Sequence, residues 1–582
     1  MRYPQLKVLP TSRQMVDAFR GYNHNLRISD GEFFNMTNMT SDHYPVLSPR
    51  GKRGFYVKPA SPQGLIAKDA ICYVDGREFV MGEYRVDMGL STAAEDCPKQ
   101  MVSMGAYVII MPDKKYINTM DITDFGNIEA SFESTTDVSF ALCTVTGDTY
   151  GDTTISPDEP SNPDNLDYWI DTSSTPHTLK QYSASSSAWV SVATTYVKIS
   201  ATGIGKAFQQ YDGVTISGIA DANLQDLNGT MVVQAKGDDY IVVIGILDAV
   251  TTQSEAIKVE RRMPHLDFLI ESGNRLWGCR YGTAVNGDVV NEIYASKLGD
   301  FRNWSCFMGL STDSYTASCG TDGQFTGAIT HMGYPLFFKE NCVHKVYGNY
   351  PANFQIQDTA CRGVQKGCHN SLAIVNETLF YKSRGGICAF DGSLPTDASY
   401  ALGKEAYSDA VGGAHGNKYY VSMKDTAGVW HLFVYDMAKS MWHREDNLHA
   451  SAFCSSQGEM YCIDADNRNI ITMLGSGTED EGEVKWEAET GELGISSPDM
   501  KYISRITVRM SMDVGAKADF YGQYDMSDEW VHICTIRGTN LRSFSIPIRP
   551  RRCDHMKLRI VGDGMAKIYS LTKTIEQGSD IS

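Results

Sequence analysis

The sequence lacks long apolar runs, paired-cysteine motifs and, over most of its length, any 3.6-residue periodicity. Its longest apolar stretch, YIVVIGIL at 240–247, is far too short to span a bilayer. The opening MRYPQLKVLPTSRQMV has no apolar core followed by a small-residue cleavage site, so nothing is expected to direct the chain into or across a membrane. The 14 cysteines never fall at C-x-x-C spacing, which argues against a zinc site or a disulfide framework at this chain size. They are expected to be reduced and mostly buried. Cys361 and Cys368, with His369, form the tightest grouping, and their spacing fits no zinc knuckle. Basic charge is also scarce. With 52 Lys and Arg against 70 Asp and Glu, affinity for nucleic acid through phosphate neutralisation is not expected.

What is present is length, glycine and unevenly placed acid. A chain of 582 residues exceeds what a single core usually supports, so several domains are expected. The 52 glycines and 42% hydrophobic residues predict a turn-rich globular protein. Residues 129–260 hold 18 Asp and Glu against 5 Lys. Most of the net charge of −18 therefore belongs to that one segment.

A repeated hairpin dominates the rest. YPLFF (334–338) turns at KEN and returns as CVHKVYG; TLFYK (378–382) turns at SRGG and returns as ICAFDG. NKYYVSMK (417–424) returns as VWHLFVYD, and EMYCI (459–463) returns as NIITML. Looser versions stand at 70–86, 107–121 and 274–296. Each is an aromatic-rich strand, a Gly/Asn/Asp turn and a second strand. Recurrence every 40 to 50 residues or so is the pattern of propeller blades. The expected fold is all-β: a six- or seven-bladed β-propeller with one or two small inserted β domains and a C-terminal β-sandwich. The boundaries read as an N-terminal arm (1–50), first blades (51–128), the acidic insertion (129–260), remaining blades (261–475), a linker (476–483) and the sandwich (484–582). The last strands carry Arg549, Arg551, Arg552, Lys557 and Arg559, candidates for a subunit interface.

Catalytic signals are hard to find. Neither a G-x-S-x-G elbow nor an H-E-x-x-H pair occurs. GIGKAF (203–208) lacks the length of a phosphate-binding loop, and SDEWVHI (527–533) is a distant echo of the sialidase Asp box. Asp391, Asp436 and Asp464 near strand ends fit turn formation better than glycosidase chemistry. No catalytic residue, cofactor or metal is expected, and the chain reads as a structural building block that is not an enzyme.

NRLWGCRYG with NEIYASKLGDFRNW, then FTGAITHMGYPLFFKENCVHKVYG, then ACRGVQKGCHNSLAIVNETLFYKSRGGICAFDG, resemble the stabilisation or nozzle proteins of short-tailed bacteriophages. The resemblance covers roughly residues 260–475, and the closing KLRIVGDGMAKIYSLTKTIEQGSD is similar to that family's ending. It implies a virion tail protein made in the host bacterial cytoplasm and a homo-oligomer, expected as a hexameric ring. Such a ring would meet tail, adaptor or portal proteins, extend the DNA channel, and retain and then release the genome without sequence recognition. Part of the acidic insertion is expected to face the lumen or the channel exit, where it would repel passing double-stranded DNA. The alternative is a carbohydrate-binding or carbohydrate-cleaving propeller, a receptor-binding component with Trp169, Trp189, Trp277, Trp304, Trp430 and Trp442 as sugar platforms.

Overall fold

Alternating apolar and polar residues between tight turns give strands almost throughout the computed structural model, which describes residues 11–577 except 285–286, 478–480, 497–498 and 526. Parts of the N-terminal arm (1–10), the linker (478–480) and the C-terminal end (578–582) thus lie outside the described residues. Compactness divides the chain into two units. One comprises residues up to 99, 336–343 and 359 onward; the other comprises 100–335 and 344–358.

Among the described residues, seven four-stranded antiparallel arrays with the blade pattern run along the chain, the sixth of them continuous with the sheet of the C-terminal strands. The first unit holds the first blade (Pro62–Lys68, Ala70–Asp75, Glu78–Met81, Tyr84–Asp87) and the fifth (Ala373–Val375, Thr378–Ser383, Gly386–Phe390, Thr396–Asp397). It also holds the sixth (Tyr407–His415, Lys418–Asp425, Trp430–Asp436, Met441–Arg444) and the seventh. The second unit holds the second (Gln100–Met104, Tyr107–Met111, Lys115–Asn118, Phe125–Asn127) and the third (Phe268–Ser272, Arg275–Thr283, Val289–Ala295, Tyr315–Ser318). The fourth, Gly327–His331, Tyr334–Lys339, Cys342–Tyr347 and Gln355–Ala360, has residues in both. Turn chemistry sets the register. Asn376 and Glu377 both take positive φ (45° and 69°), the primed geometry that matches strand twist, and join Val375 directly to Thr378.

The seventh blade is built from two distant parts of the chain. Ala450–Ser456, Glu459–Asp464 and Asn469–Thr472 supply three strands, and Gly54–Val57 adds the fourth, with Phe55 opposite Ile471. Tyr73, Val80, Ile463 and Ile470 form the apolar core beneath it. This exchange of strands between early and late sequence is how propellers tie their ends together.

Residues 130–261 form three small sheets. Two of them share a core of Val138, Phe140, Val197, Ile199, Phe208, Val214, Ile241 and Val259, among others. The C-terminal β-sandwich is organised by one 24-residue strand, Lys501–Tyr524. Its first half pairs with Ala566–Gln577 and its second with Met556–Asp563. Ile503, Ile506, Val508, Met510, Ala518 and Phe520 alternate inward along it. Residues of the arm complete this domain: Thr11–Val16 pairs with Ala566–Gln577, and Glu32–Thr37 pairs with Lys485–Thr490. No helix among the described residues is long and apolar enough to cross a membrane.

Candidate functional site

The seventh blade carries a polar basin of about 440 Å³, lined by Arg53, Phe55, Asp446, Asn447, His449, Asp464, Asp466, Asn467, Asn469 and Glu481. Two loops of that blade, 444–449 and 465–468, supply most of these groups; residues 53–55 reach the basin only because they add the fourth strand.

Its floor is a compensated charge network. The Arg53 guanidinium donates to Glu445 (2.7 Å) and to both Asp446 oxygens (2.7 and 3.1 Å). Arg50 makes a bidentate pair with Glu481 (2.8 and 2.9 Å). Both arginines are buried, at 5% and 7% exposure, where an unpaired charge would be very costly. Burial by itself would raise the carboxyls of Asp446 and Glu481, but the arginines outweigh it and both lie below the ordinary range. These two acids are therefore fixed as anions and are not free to exchange protons.

Nearer the mouth the chemistry is different. Asp464 ends its strand and accepts hydrogen bonds from the Asp466 and Asn467 amides (3.1 and 3.2 Å) and from Asn467 Nδ2 (2.7 Å). The Asp466 carboxylate lies 2.8 Å from His449 Nδ1, and the His449 ring stacks on Trp430 (centroids 3.9 Å apart, planes 12° apart). With Nδ1–H donating to Asp466, the free lone pair sits on Nε2. The carboxylate and the indole together restrict how the ring can turn. An imidazole oriented by a carboxylate beside a hydrogen-bonded carboxylate can transfer a proton and stabilise developing positive charge.

Sequence reasoning singled out only Asp464 here, as a turn former, and its hydrogen bonds are those of a turn. Asp391, bonded to Ser393, also holds a turn. Asp436 is buried against Ser41 and Lys439. His449, Asp466 and Arg53 were missed because 13 histidines and 70 acids satisfy many spacings, and only the closing of the blade gathers these three. Of the six tryptophans considered as sugar platforms, Trp169, Trp277, Trp304 and Trp442 are buried, while Trp189 and Trp430 keep partial exposure. The basic residues of the last domain do not form one cluster of equivalents. Arg549, Arg551 and Arg552 are exposed, and Arg551 lies over the Tyr524 ring (5.5 Å). Lys557 lies over Phe34 (5.2 Å), while Arg559 is held by Glu487 through two hydrogen bonds (2.7 and 2.6 Å). Among the described residues, no group of three or more His, Cys, Asp or Glu could hold a metal ion.

No protein-family model and no curated protein matches the chain. Solved structures similar to it include an exo-β-1,3-galactanase from Phanerochaete chrysosporium (TM-score 0.20, 10% identity, covering 52% of this chain and 94% of that one). Another is PorZ, a bacterial surface component of the type-IX secretion system of Porphyromonas gingivalis (TM-score 0.25, 11% identity, 89% and 71%). A third is a glycoside hydrolase family 43 arabinoxylan arabinofuranohydrolase from Bacillus subtilis (TM-score 0.15, 7% identity, 52% and 94%). At these identities the likeness is one of fold alone. Two expectations are nevertheless corrected. The similar structures are glycoside hydrolases and a secretion-system component rather than phage nozzle proteins, so the resemblance to that family, with its tail and DNA-ejection roles, is not supported. The expectation that the chain is not an enzyme is corrected to this extent: the similar solved structures include glycoside hydrolases. The motif likeness misled because aromatic hairpins ending in Gly/Asp turns are what any propeller blade requires.

Proposed function

We propose that the protein is a carbohydrate-active propeller that binds a glycan in the seventh-blade basin and cleaves it there. The observation that carries this reading is the lining itself. Asn447, Asn467, Asn469, Asp464 and Asp466 surround a cavity of about 440 Å³, offering planar amide and carboxylate groups suited to paired sugar hydroxyls. In this reading His449, oriented by Asp466, takes up a proton from solvent at Nε2 and delivers it to the glycosidic oxygen as the bond to the anomeric carbon breaks. Asp464, which accepts three N–H bonds, stabilises the oxocarbenium character that develops, and water then adds at the anomeric carbon, giving up a proton to His449. The arginine-bound Asp446 and Glu481 hold the wall and take no part in proton transfer.

The test is a glycan array followed by reducing-sugar release on the glycans retained, using wild type, Asp464→Asn and His449→Ala. Retained binding with release reduced at least about 100-fold in both variants is the expected result, in line with the usual size of acid–base contributions. If wild type captures no glycan and releases no sugar, the proposal fails.

A further inference from the structure

A second recess lies between the fifth and sixth blades, about 200 Å³ in volume and lined among others by Lys382, Arg384, Ser399, Lys404, Glu405 and Tyr407. Lys382 is its unusual member. The residue is only 3% exposed, and fully buried lysines are rare unless paired with an acid. Its Nζ donates to Gln365 Oε1 (2.8 Å) and to the Ser383 carbonyl (2.5 Å). Both acceptors are neutral, and a third N–H remains.

The rest of the lining is of mixed charge. Arg384 stands at the same recess, paired with Glu340 (2.9 Å). Lys404 adds another cation, and Glu405 is the single acid of the lining. Tyr407, half-buried, supplies an apolar wall. Burial lowers the Lys382 ammonium below its ordinary value, which is the direction expected of a buried charge that has no counter-ion. A bound anion would supply what the fold leaves out.

We propose that this recess binds a small carboxylate-bearing molecule of about one sugar ring in size, its carboxylate meeting the Lys382 ammonium and its ring lying against Tyr407. The volume is below that of most drug-sized pockets, which span roughly 300–1,000 Å³. That favours a single ring over a chain, and a sugar acid fits both the charge and the size. This site shares no residue with the seventh-blade basin and does not depend on the function proposed there.

Isothermal titration of the full chain with D-glucuronate, D-glucose and inorganic phosphate tests the assignment. Glucuronate should bind at least tenfold more tightly than glucose. Lys382→Met should weaken it at least tenfold, and Lys404→Gln, at a position where folding is not at stake, should weaken it about two- to fivefold and flatten its salt dependence. A melting curve separates a Lys382→Met binding defect from misfolding. Equal affinity for glucuronate and glucose would overturn the proposal, as would affinity unchanged in Lys404→Gln, tighter binding of phosphate than of glucuronate, or no binding of glucuronate at all.

Discussion

His443 gives the protein a calculable sensitivity to acid. It sits on the Met441–Arg444 strand of the sixth blade at 1% exposure, and neither ring nitrogen has a hydrogen-bond partner. Burial, reinforced by Lys418 and Lys439 and opposed by Asp42 and Asp436, pushes its pKa from 6.5 down to about 3. In the unfolded chain the same ring takes a proton as pH falls through 6.5. Between 6.5 and about 3 the unfolded state therefore holds a proton that the native state refuses. Stability present above pH 6.5 is lost progressively below it. Each pH unit costs about 1.4 kcal/mol, so moving from pH 7 to pH 5 should cost about 2 kcal/mol through this residue. Asp42 and Asp436, both lowered from 3.8, leave the interval from pH 7 to pH 5 almost untouched, because their unfolded forms titrate mainly below it. The assay is urea unfolding followed by tryptophan fluorescence at pH 7 and pH 5, comparing wild type with His443→Leu. Other buried histidines contribute equally to both proteins and cancel in the comparison. The variant should be at least as stable at pH 7, having lost two unsatisfied nitrogens, and should gain about 2 kcal/mol on wild type by pH 5. An unchanged gap between the two pH values would refute the reasoning and would mean that His443 finds a proton-stabilising partner.

Other substitutions probe different levels of the structure. At Gly562 a Cβ would stand 2.1 Å from Trp486 Cε2, and that indole is 1% exposed and donates to the Gly564 carbonyl (2.8 Å); Gly562→Ala should lower the melting temperature by the equivalent of about 1–3 kcal/mol. Ile470, fully buried under the seventh blade, should cost about 2–5 kcal/mol as Ile470→Ala in chemical denaturation. Arg559→Ala breaks the bidentate pair with Glu487 and should cost about 1 kcal/mol, whereas Arg551→Ala, stacked on Tyr524 without a carboxylate partner, should change the melting temperature little.

Blades were readable in the sequence because each one is local. TLFYK and ICAFDG alternate, turn and alternate again, so the hairpin from Thr378 to Phe390 is written in 13 consecutive residues. Pairings between remote segments leave no such trace. Nothing in GFYV at 54–57 marks it as the partner of NIIT at 469–472, and nothing in EFFNMT at 32–37 announces Lys485–Thr490. The candidate site inherits that blindness. Asp464 could be read as the end of a strand and lies near His449 through the local pairing of Ala450 with Asp464, but its meeting with Arg53 depends on the remote pairing. Lys382 was visible only as the polar end of an apolar strand; its lack of a counter-ion is a property of three dimensions.

The borrowed strand also puts a clock on synthesis. Residues 54–57 leave the ribosome about 400 residues before their partners at 469–472. At roughly 5–20 residues per second that is a wait of about 20–80 s. Throughout it, Phe55 and its neighbours present an unpaired, partly apolar edge of the kind that recruits stray strands. Until that edge is satisfied, neither the polar basin nor the Arg53 network that floors it can exist. Whatever shields this segment in the cell, whether a chaperone or the speed of translation itself, governs the yield of active protein as much as the stability of the finished fold does.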